Sequence, residues 1–271
     1  MNEKSKELEF LIELSEKACE MARSAYIATG VSFDMKNDFT PVTEHDIAIN
    51  EMIIKETKER FPEWGVIGEE RKWNEDAEVA IMVDPIDGTR PFTFGVPVFG
   101  FMIALLRGSE AVAGVIANPT VSRTLYAEKG KGAFHLESGN RIAVSKNETL
   151  DRSVLSLSSS NVLSSHIRRH MRGLHKANIV SLASASETAA MIALGHVTAD
   201  FAVHKSPHDV APVKIIVEEA GGKVTDLEGK EHDFRQEQIN GAMISNGAIH
   251  EDMFGIFRSA QNDYELDSFD D

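Results

Sequence analysis

The 271-residue sequence predicts an α+β fold in two lobes that meet near residue 150. Three observations predict it. A long amphipathic helical pattern opens the chain, and short β-rich runs separated by Gly, Pro and Asn turns fill residues 96–136. Beyond 150, strand-like and helix-like segments alternate as α/β units do.

Residues 3–29 carry Leu8, Leu11, Ile12, Ser15, Ala18, Cys19 and Ala22 on one helical stripe, with Gly30 as the stop. Pro41 and the pair Thr43-x-x-Asp46 then signal the start of a second helix, which runs through Ile47, Ile49, Ile53 and Ile54 to Phe61-Pro62. GVIGEE (65–70) reads as a short strand ending in two glutamates, and residues 79–83 as a second strand. The runs VFGFMIALLRG, AVAGVIANP, TLYAEKG and GAFHL read as an antiparallel meander. Strands at SVLSLSS, NIVSLA, ADFAV and GKVTD then alternate with helices near 161–172, 185–195 and 208–220. The acidic tail after 260 is expected to fray. The predicted lobes are therefore 1–150, with an antiparallel sheet, and 151–271.

Composition narrows the function classes. A formal charge of −15 argues against nucleic acid as a partner. No window is apolar for about 18 residues, so no membrane span is expected, and the charged opening MNEKSKELEF lacks the apolar run of a secretory leader. The single cysteine, Cys19, cannot form an internal disulfide and suits the cytoplasm. The basic run HIRRHMRGLH at 166–175 reads as a solvated helix face. His166 and His170 have zinc-compatible i, i+4 spacing, but no glutamate lies between them to complete a metalloprotease motif.

The chemistry concentrates in carboxylates. MVDPIDGTRPFTFG, residues 82–95, carries a strand into Asp84 and Asp87 and then into a Gly88-Thr89 turn. Glu69, Glu70 and Asp209 lie at other strand ends or helix starts. Singly, each could be a loop charge, a strand end or a capping acid. Together they form a set of hard oxygen ligands with no neighbouring Lys or Arg to neutralise them, which points to a divalent metal.

GEE, DPIDGT and the late DVA before IVEEAGG resemble, in order and spacing, the inositol monophosphatase family of lithium-sensitive, magnesium-dependent phosphatases, which includes fructose-1,6-bisphosphatase. The resemblance runs from about residue 36 to Gly222, and DPIDGT is its most specific motif. It implies a layered αβαβα sandwich, a homodimer, and a small phosphomonoester as substrate. It also implies two or three Mg²⁺ per site, replaceable by Mn²⁺. Glu69, Asp84, the Ile86 carbonyl and Thr89 would surround one ion, and Asp84, Asp87 and Asp209 a second, about 3.5–4 Å away. Thr89 and Glu69 would orient the attacking water, with Asp46 hydrogen-bonded to Thr89. Asp46 also reads as a capping-box acid at the helix start, and the two roles are compatible. Lys36 reads either as a solvated loop lysine or as a cation on the phosphate side, and the backbone at Gly88 and Thr89 would face the phosphate.

Discrimination between substrates would fall to Arg90, the Ser184–Glu187 turn, His204 and Lys205. Inositol-specific members follow DGT with Thr-Asn-Phe, whereas Arg90-Pro91-Phe92 is closer to the histidinol-phosphate phosphatase branch. His208 stands where many members have Trp, and His204 is nearest to a glutamate that contacts the leaving alcohol. A histidine cannot accept from two hydroxyls as a carboxylate does. The alternatives are histidinol phosphate, a 3′-phosphoadenosine phosphate, or, in another class, a catalytically silent phosphate-binding scaffold.

Overall fold

A computed structural model describes residues 4–27, 33–35, 41–157, 162–173, 177–203 and 205–267. The chain opens with α1 (Lys6–Ile27), two short antiparallel strands β1 (Asp34–Met35) and β2 (Pro41–Val42), and α2 (Glu44–Arg60). Then follow β3 (Gly65–Gly68), β4 (Lys72–Trp73), β5 (Val79–Asp87), α3 (Thr89–Thr93), β6 (Gly100–Arg107), β7 (Glu110–Asn118), β8 (Arg123–Glu128) and β9 (Gly132–His135). The remainder is β10 (Val154–Leu157), α4 (Val162–Arg172), β11 (Asn178–Val180), α5 (Ala185–Ala193), β12 (Ala199–Ala202), α6 (Pro207–Glu219), β13 (Lys223–Thr225), β14 (Ala242–Ser245) and α7 (His250–Asp267).

Two sheets organise these elements. A seven-stranded sheet has the order β4-β3-β5-β6-β7-β8-β9, antiparallel except for the β3–β5 pair. A five-stranded mixed sheet has the order β11-β10-β12-β14-β13. The first is drawn wholly from residues before 150 and the second wholly from residues after it.

Period-two alternation sends the side chains of each strand to opposite faces, and this builds the layers. Ile81, Val83, Ile103 and Leu105 face α1 and α2, where Leu11, Ala18, Ile49 and Ile53 are buried. Met82, Met102, Ala104 and Leu106 face the other way, onto Ala189 and Ile192 of α5 and Val213 and Ile216 of α6. Ala242 and Ile244 of β14 close that core from the five-stranded side. Phe201 and Met243 point outward onto Ile167 and Met171 of α4 and onto Met253 and Phe257 of α7. The result is a five-layer αβαβα sandwich. Each fully buried Leu, Ile or Phe in it contributes roughly 1.5–3 kcal/mol.

Several expectations are corrected. The aspartate motif lies within β5, which runs to Asp87 rather than stopping at 83. The turn after it is a short helix, α3. The tail is helical to Asp267 instead of frayed from 260, because α7 buries Met253, Phe254, Ile256, Phe257 and Ala260. The basic run is not simply a solvated face. Ile167 and Met171 are buried, His170 Nε2 lies 3.0 Å from Asp263 Oδ2, and His166 packs edge-on against Tyr264. The expected stop at Gly30 lies outside the described residues. Among the described residues no helix is long and apolar enough to cross a membrane.

Candidate active site

The site begins where β5 leaves its ladder. Asp84 pairs with Met102 and Asp87 with Gly100, and the register slips between them. A slip of this kind re-aims side chains at a strand end, and here both aspartates remain buried. The Ile86 N–H donates to Asp84 Oδ1 at 3.1 Å, fixing that carboxylate. Gly88 then adopts φ +81°, a left-handed conformation in which a Cβ would lie 3.0 Å from the Val98 carbonyl. α3 follows at once. Thr89 Oγ1 donates to the Ile86 carbonyl at 3.0 Å, and the buried Phe92 ring anchors the turn against Phe99.

Asp87 is gripped by the start of α5. Its Oδ2 accepts from Ser184 Oγ (2.5 Å), Ser186 Oγ (2.6 Å) and the Ser186 N–H (2.8 Å), and its Oδ1 accepts from the Ala185 N–H (3.1 Å). Ser184 is also the N-cap of α5, so the helix N-terminus itself faces this carboxylate.

Asp209 arrives from the other sheet's side, at the third position of α6. The Ser206 N–H donates to its Oδ2 at 2.8 Å, in the manner of a capping box, and Pro207 begins the helix. Lys205 Nζ donates to its Oδ1 at 3.3 Å. The carboxylates therefore do have a cationic neighbour, contrary to expectation. One oxygen from each of Asp84, Asp87 and Asp209 lies within 4.8 Å of the others.

Glu69 stands beside this cluster. The Glu69 N–H donates to the Val83 carbonyl at 3.1 Å, at the parallel β3–β5 pair. Asn50 of α2 holds the next two residues, its Oδ1 accepting from the N–H groups of Glu70 (3.2 Å) and Arg71 (2.9 Å). Asp46, one turn earlier on the same helix face, closes a capping box. Its Oδ2 accepts from Thr43 Oγ1 (2.5 Å) and the Thr43 N–H (2.8 Å).

Charge crowding shifts these acids in different directions. Burial, then Glu69, Asp87 and Asp209, push the Asp84 carboxyl well above the usual carboxylate value. Burial pushes Asp46 up to about 6 despite the Thr43 hydrogen bonds. Asp209 is also raised by burial, but Lys205, His208 and the Ser206 N–H outweigh that and leave it lowered.

The structure thus brings together Asp84, Asp87 and Asp209, with Glu69, Ile86, Gly88 and Thr89 around them. Asp46 acts here as a cap, and an Asp46–Thr89 hydrogen bond is not among those of the described residues. Ser184 is buried on Asp87 rather than open at the rim, and Arg90 is exposed. Lys36 and His204 lie outside the described residues. Sequence reasoning missed Asn50, Ser186 and the Lys205–Asp209 pair. Only the second had a local signal, the Ser184-x-x-Glu187 helix start.

Comparison with known proteins identifies the family. The sequence profile of the inositol monophosphatase family matches residues 3–262. The chain is 36% identical over 216 residues to the fructose-1,6-bisphosphatase/inositol-1-monophosphatase of Thermotoga maritima, covering 79% of this chain and 81% of that protein. It is 30% identical over 262 residues to the histidinol-phosphatase of Mycobacterium tuberculosis, covering 91% and 96% respectively. Among solved structures, the Thermotoga maritima IMPase matches with a TM-score of 0.87 at 32% identity, covering 96% of this chain and 99% of that one. The chain belongs to the inositol monophosphatase family, whose members are phosphatases that hydrolyse phosphomonoesters.

Proposed function

We propose that this member of the family is a Mg²⁺-dependent phosphatase of small phosphorylated polyols or sugars, releasing the alcohol and inorganic phosphate. The observation that carries the reading is the convergence of Asp84, Asp87 and Asp209 within 4.8 Å beside Glu69 and Thr89. Three carboxylate oxygens in so small a space fit a hard divalent cation and lack the His/Cys character of a zinc site. Two or three Mg²⁺ ions, with Mn²⁺ as substitute, would supply Lewis-acid polarisation of the phosphoryl oxygens and a water of lowered pKa.

The chain's own residues would do the rest. Glu69, Asp84 and the second lone pair of the Ile86 carbonyl would hold one ion, and Asp84, Asp87 and Asp209 another. Thr89 gives its proton to Ile86 O, which leaves its oxygen lone pairs to accept from water. Glu69 would take the water's proton. Asp46 would support this side of the site, Lys36 would approach the phosphate, and the Gly88–Thr89 backbone would face it. Arg90 and His204 would meet the leaving group, whereas Lys205 is turned back onto Asp209. Positive charge at Arg90 favours hydroxyl-rich or anionic leaving groups over ammonium ones. A cytoplasmic setting suits the lone, buried Cys19. A homodimer suits the exposed Phe94 and Val96.

A second reading, histidinol phosphate, has its own support. A cavity of about 740 Å³ adjoins Glu69 and His208, and in its lining Glu75, Asp76, Glu78, Asp233 and Glu237 outnumber the cations Lys72 and Arg235. Such a surface suits an ammonium group. The deciding experiment measures kcat/KM for inositol-1-phosphate, fructose-1,6-bisphosphate, histidinol phosphate and a 3′-phosphoadenosine phosphate, with Mg²⁺ and after chelation. Polyol and sugar phosphates are expected to lead, and chelation to abolish turnover. Activity that survives exhaustive chelation refutes the metal reading. A preference above about a hundred-fold for histidinol phosphate refutes the rim-charge argument. His204→Glu is expected to raise kcat/KM for inositol-1-phosphate.

A further inference from the structure

Each buried carboxylate of the cluster is compensated differently. Asp87 receives four hydrogen bonds from residues 184–186. Asp84 receives one N–H, from Ile86. Asp209 has its Oδ2 turned to the Ser206 N–H at the helix start and its Oδ1 turned to Lys205. The Lys205 and Asp209 side chains are only 17% and 15% exposed, so solvent and salt screen the pair poorly.

This placement has a consequence for the cation reading above, on which it rests. Oδ1 is the Asp209 oxygen that the helix cap leaves unused, so it is the one more open to a divalent ion. The Lys205 ammonium donates to that oxygen and sets a positive charge beside it. A lysine ammonium is a compact point charge on a flexible stem, able to leave without disturbing the backbone. We propose that Lys205 is a built-in competitor, an internal monovalent cation that neutralises Asp209 in the metal-free protein and weakens divalent-ion binding at the Asp84–Asp87–Asp209 position. Even displaced, its charge remains close enough to repel a dication. Lys205 would thereby set the ion concentration at which the site fills, and ease release of the ion once product leaves.

The test is Mn²⁺ binding to the chelator-stripped protein, measured by calorimetry and by electron paramagnetic resonance of the free ion. Lys205→Met is expected to bind Mn²⁺ at least tenfold tighter than wild type, and Lys205→Arg, which keeps the charge, within about threefold of it. In chelator Lys205→Met is expected to melt below wild type, because Asp209 has lost its partner. Excess Mn²⁺ is expected to close or reverse that gap. Should Lys205→Met fold poorly, Lys205→Gln carries the same expectation. Equal or weaker Mn²⁺ affinity on loss of the charge overturns the competitor role while leaving the metal reading intact. A wild-type protein that binds no Mn²⁺ overturns both.

Discussion

Asp84→Asn should make the metal-free protein more stable while removing its activity. Asp84 is buried, and Glu69, Asp87 and Asp209 all raise its pKa. Two like charges about 5 Å apart repel by roughly 3 kcal/mol at an effective dielectric of about 20. Asp87 is already held by four donors and Asp209 by a lysine, so the unrelieved strain is on the order of 2 kcal/mol. Asparagine keeps an oxygen for the Ile86 N–H, and its amide protons face carboxylate acceptors. At about 2–4 °C per kcal/mol, the variant should melt roughly 4–8 °C above wild type in chelator at neutral pH. The sign with pH follows from the raised pKa. The folded state holds the Asp84 proton where the unfolded chain has lost it, so metal-free stability falls as pH rises from 3.8 towards the folded value. The gap between variant and wild type should therefore shrink as pH drops. Excess Mg²⁺ should invert the order, since wild type gains about 2.7 kcal/mol at a hundred-fold excess over Kd and the variant little. A metal-free Asp84→Asn protein that melts below wild type at pH 7 would refute the charge-crowding argument.

Thr89→Ala should lower kcat at least tenfold while changing Mn²⁺ affinity less than threefold, because it misplaces the water more than the ligands; equal losses in both would contradict that division. Thr43→Ala removes the hydroxyl that donates to Asp46 Oδ2 and accepts from the Asp46 N–H, leaving the Thr43 N–H in place, and should lower unfolding free energy in urea by about 1–2 kcal/mol. His250 is buried between Ser245 Oγ (2.8 Å) and Thr225 Oγ1 (3.0 Å), and burial with nearby Lys223 lowers its pKa to about 4. The neutral ring's stabilisation is full above pH 6.5 and should be lost at up to about 1.4 kcal/mol per pH unit from there towards 4, a slope that His250→Gln should lack in urea titrations. Millimolar lithium should inhibit turnover, as the family resemblance implies.

What was legible in the sequence was local. A strand, two aspartates, a left-handed glycine and a helix start lie within a few residues at 79–93, so their letters constrain one another. The α1 stripe and the β6–β9 meander were legible for the same reason, a period that repeats over one element. The clamp on Asp87 was not, because its donors lie 97–99 residues downstream and no spacing reports that partnership. Lys205 was read as a rim charge since nothing in HKSPHD says whether its stem folds back on Asp209. The charged letters of the tail hid the apolar stripe of α7, which is satisfied only by packing on α4 and the five-stranded sheet.

The site sits where separate layers meet, which ties its chemistry to the docking of those layers. Asp84 and Asp87 belong to the seven-stranded sheet, whereas Asp209 and the Asp87 clamp sit on α6 and α5, the helices packed between the two sheets. α6 is held by Val213, Ile215 and Ile216 in the same core as Met82 and Met102, two strand residues flanking the acids. A shift of α6 along that core would move Asp209 relative to Asp84 with no change in any ligand. Ions that bind only the assembled cluster must then stabilise the packing of all three layers, since they bind the folded state and not the unfolded one. Ile216→Ala, a cavity mutation far from the acids, should cost about 2–5 kcal/mol of stability and also weaken Mn²⁺ binding. If Ile216→Ala lowers stability while Mn²⁺ affinity stays at the wild-type value, then β5 and α6 hold the three oxygens together without help from the core beneath them, and the coupling between packing and site does not exist.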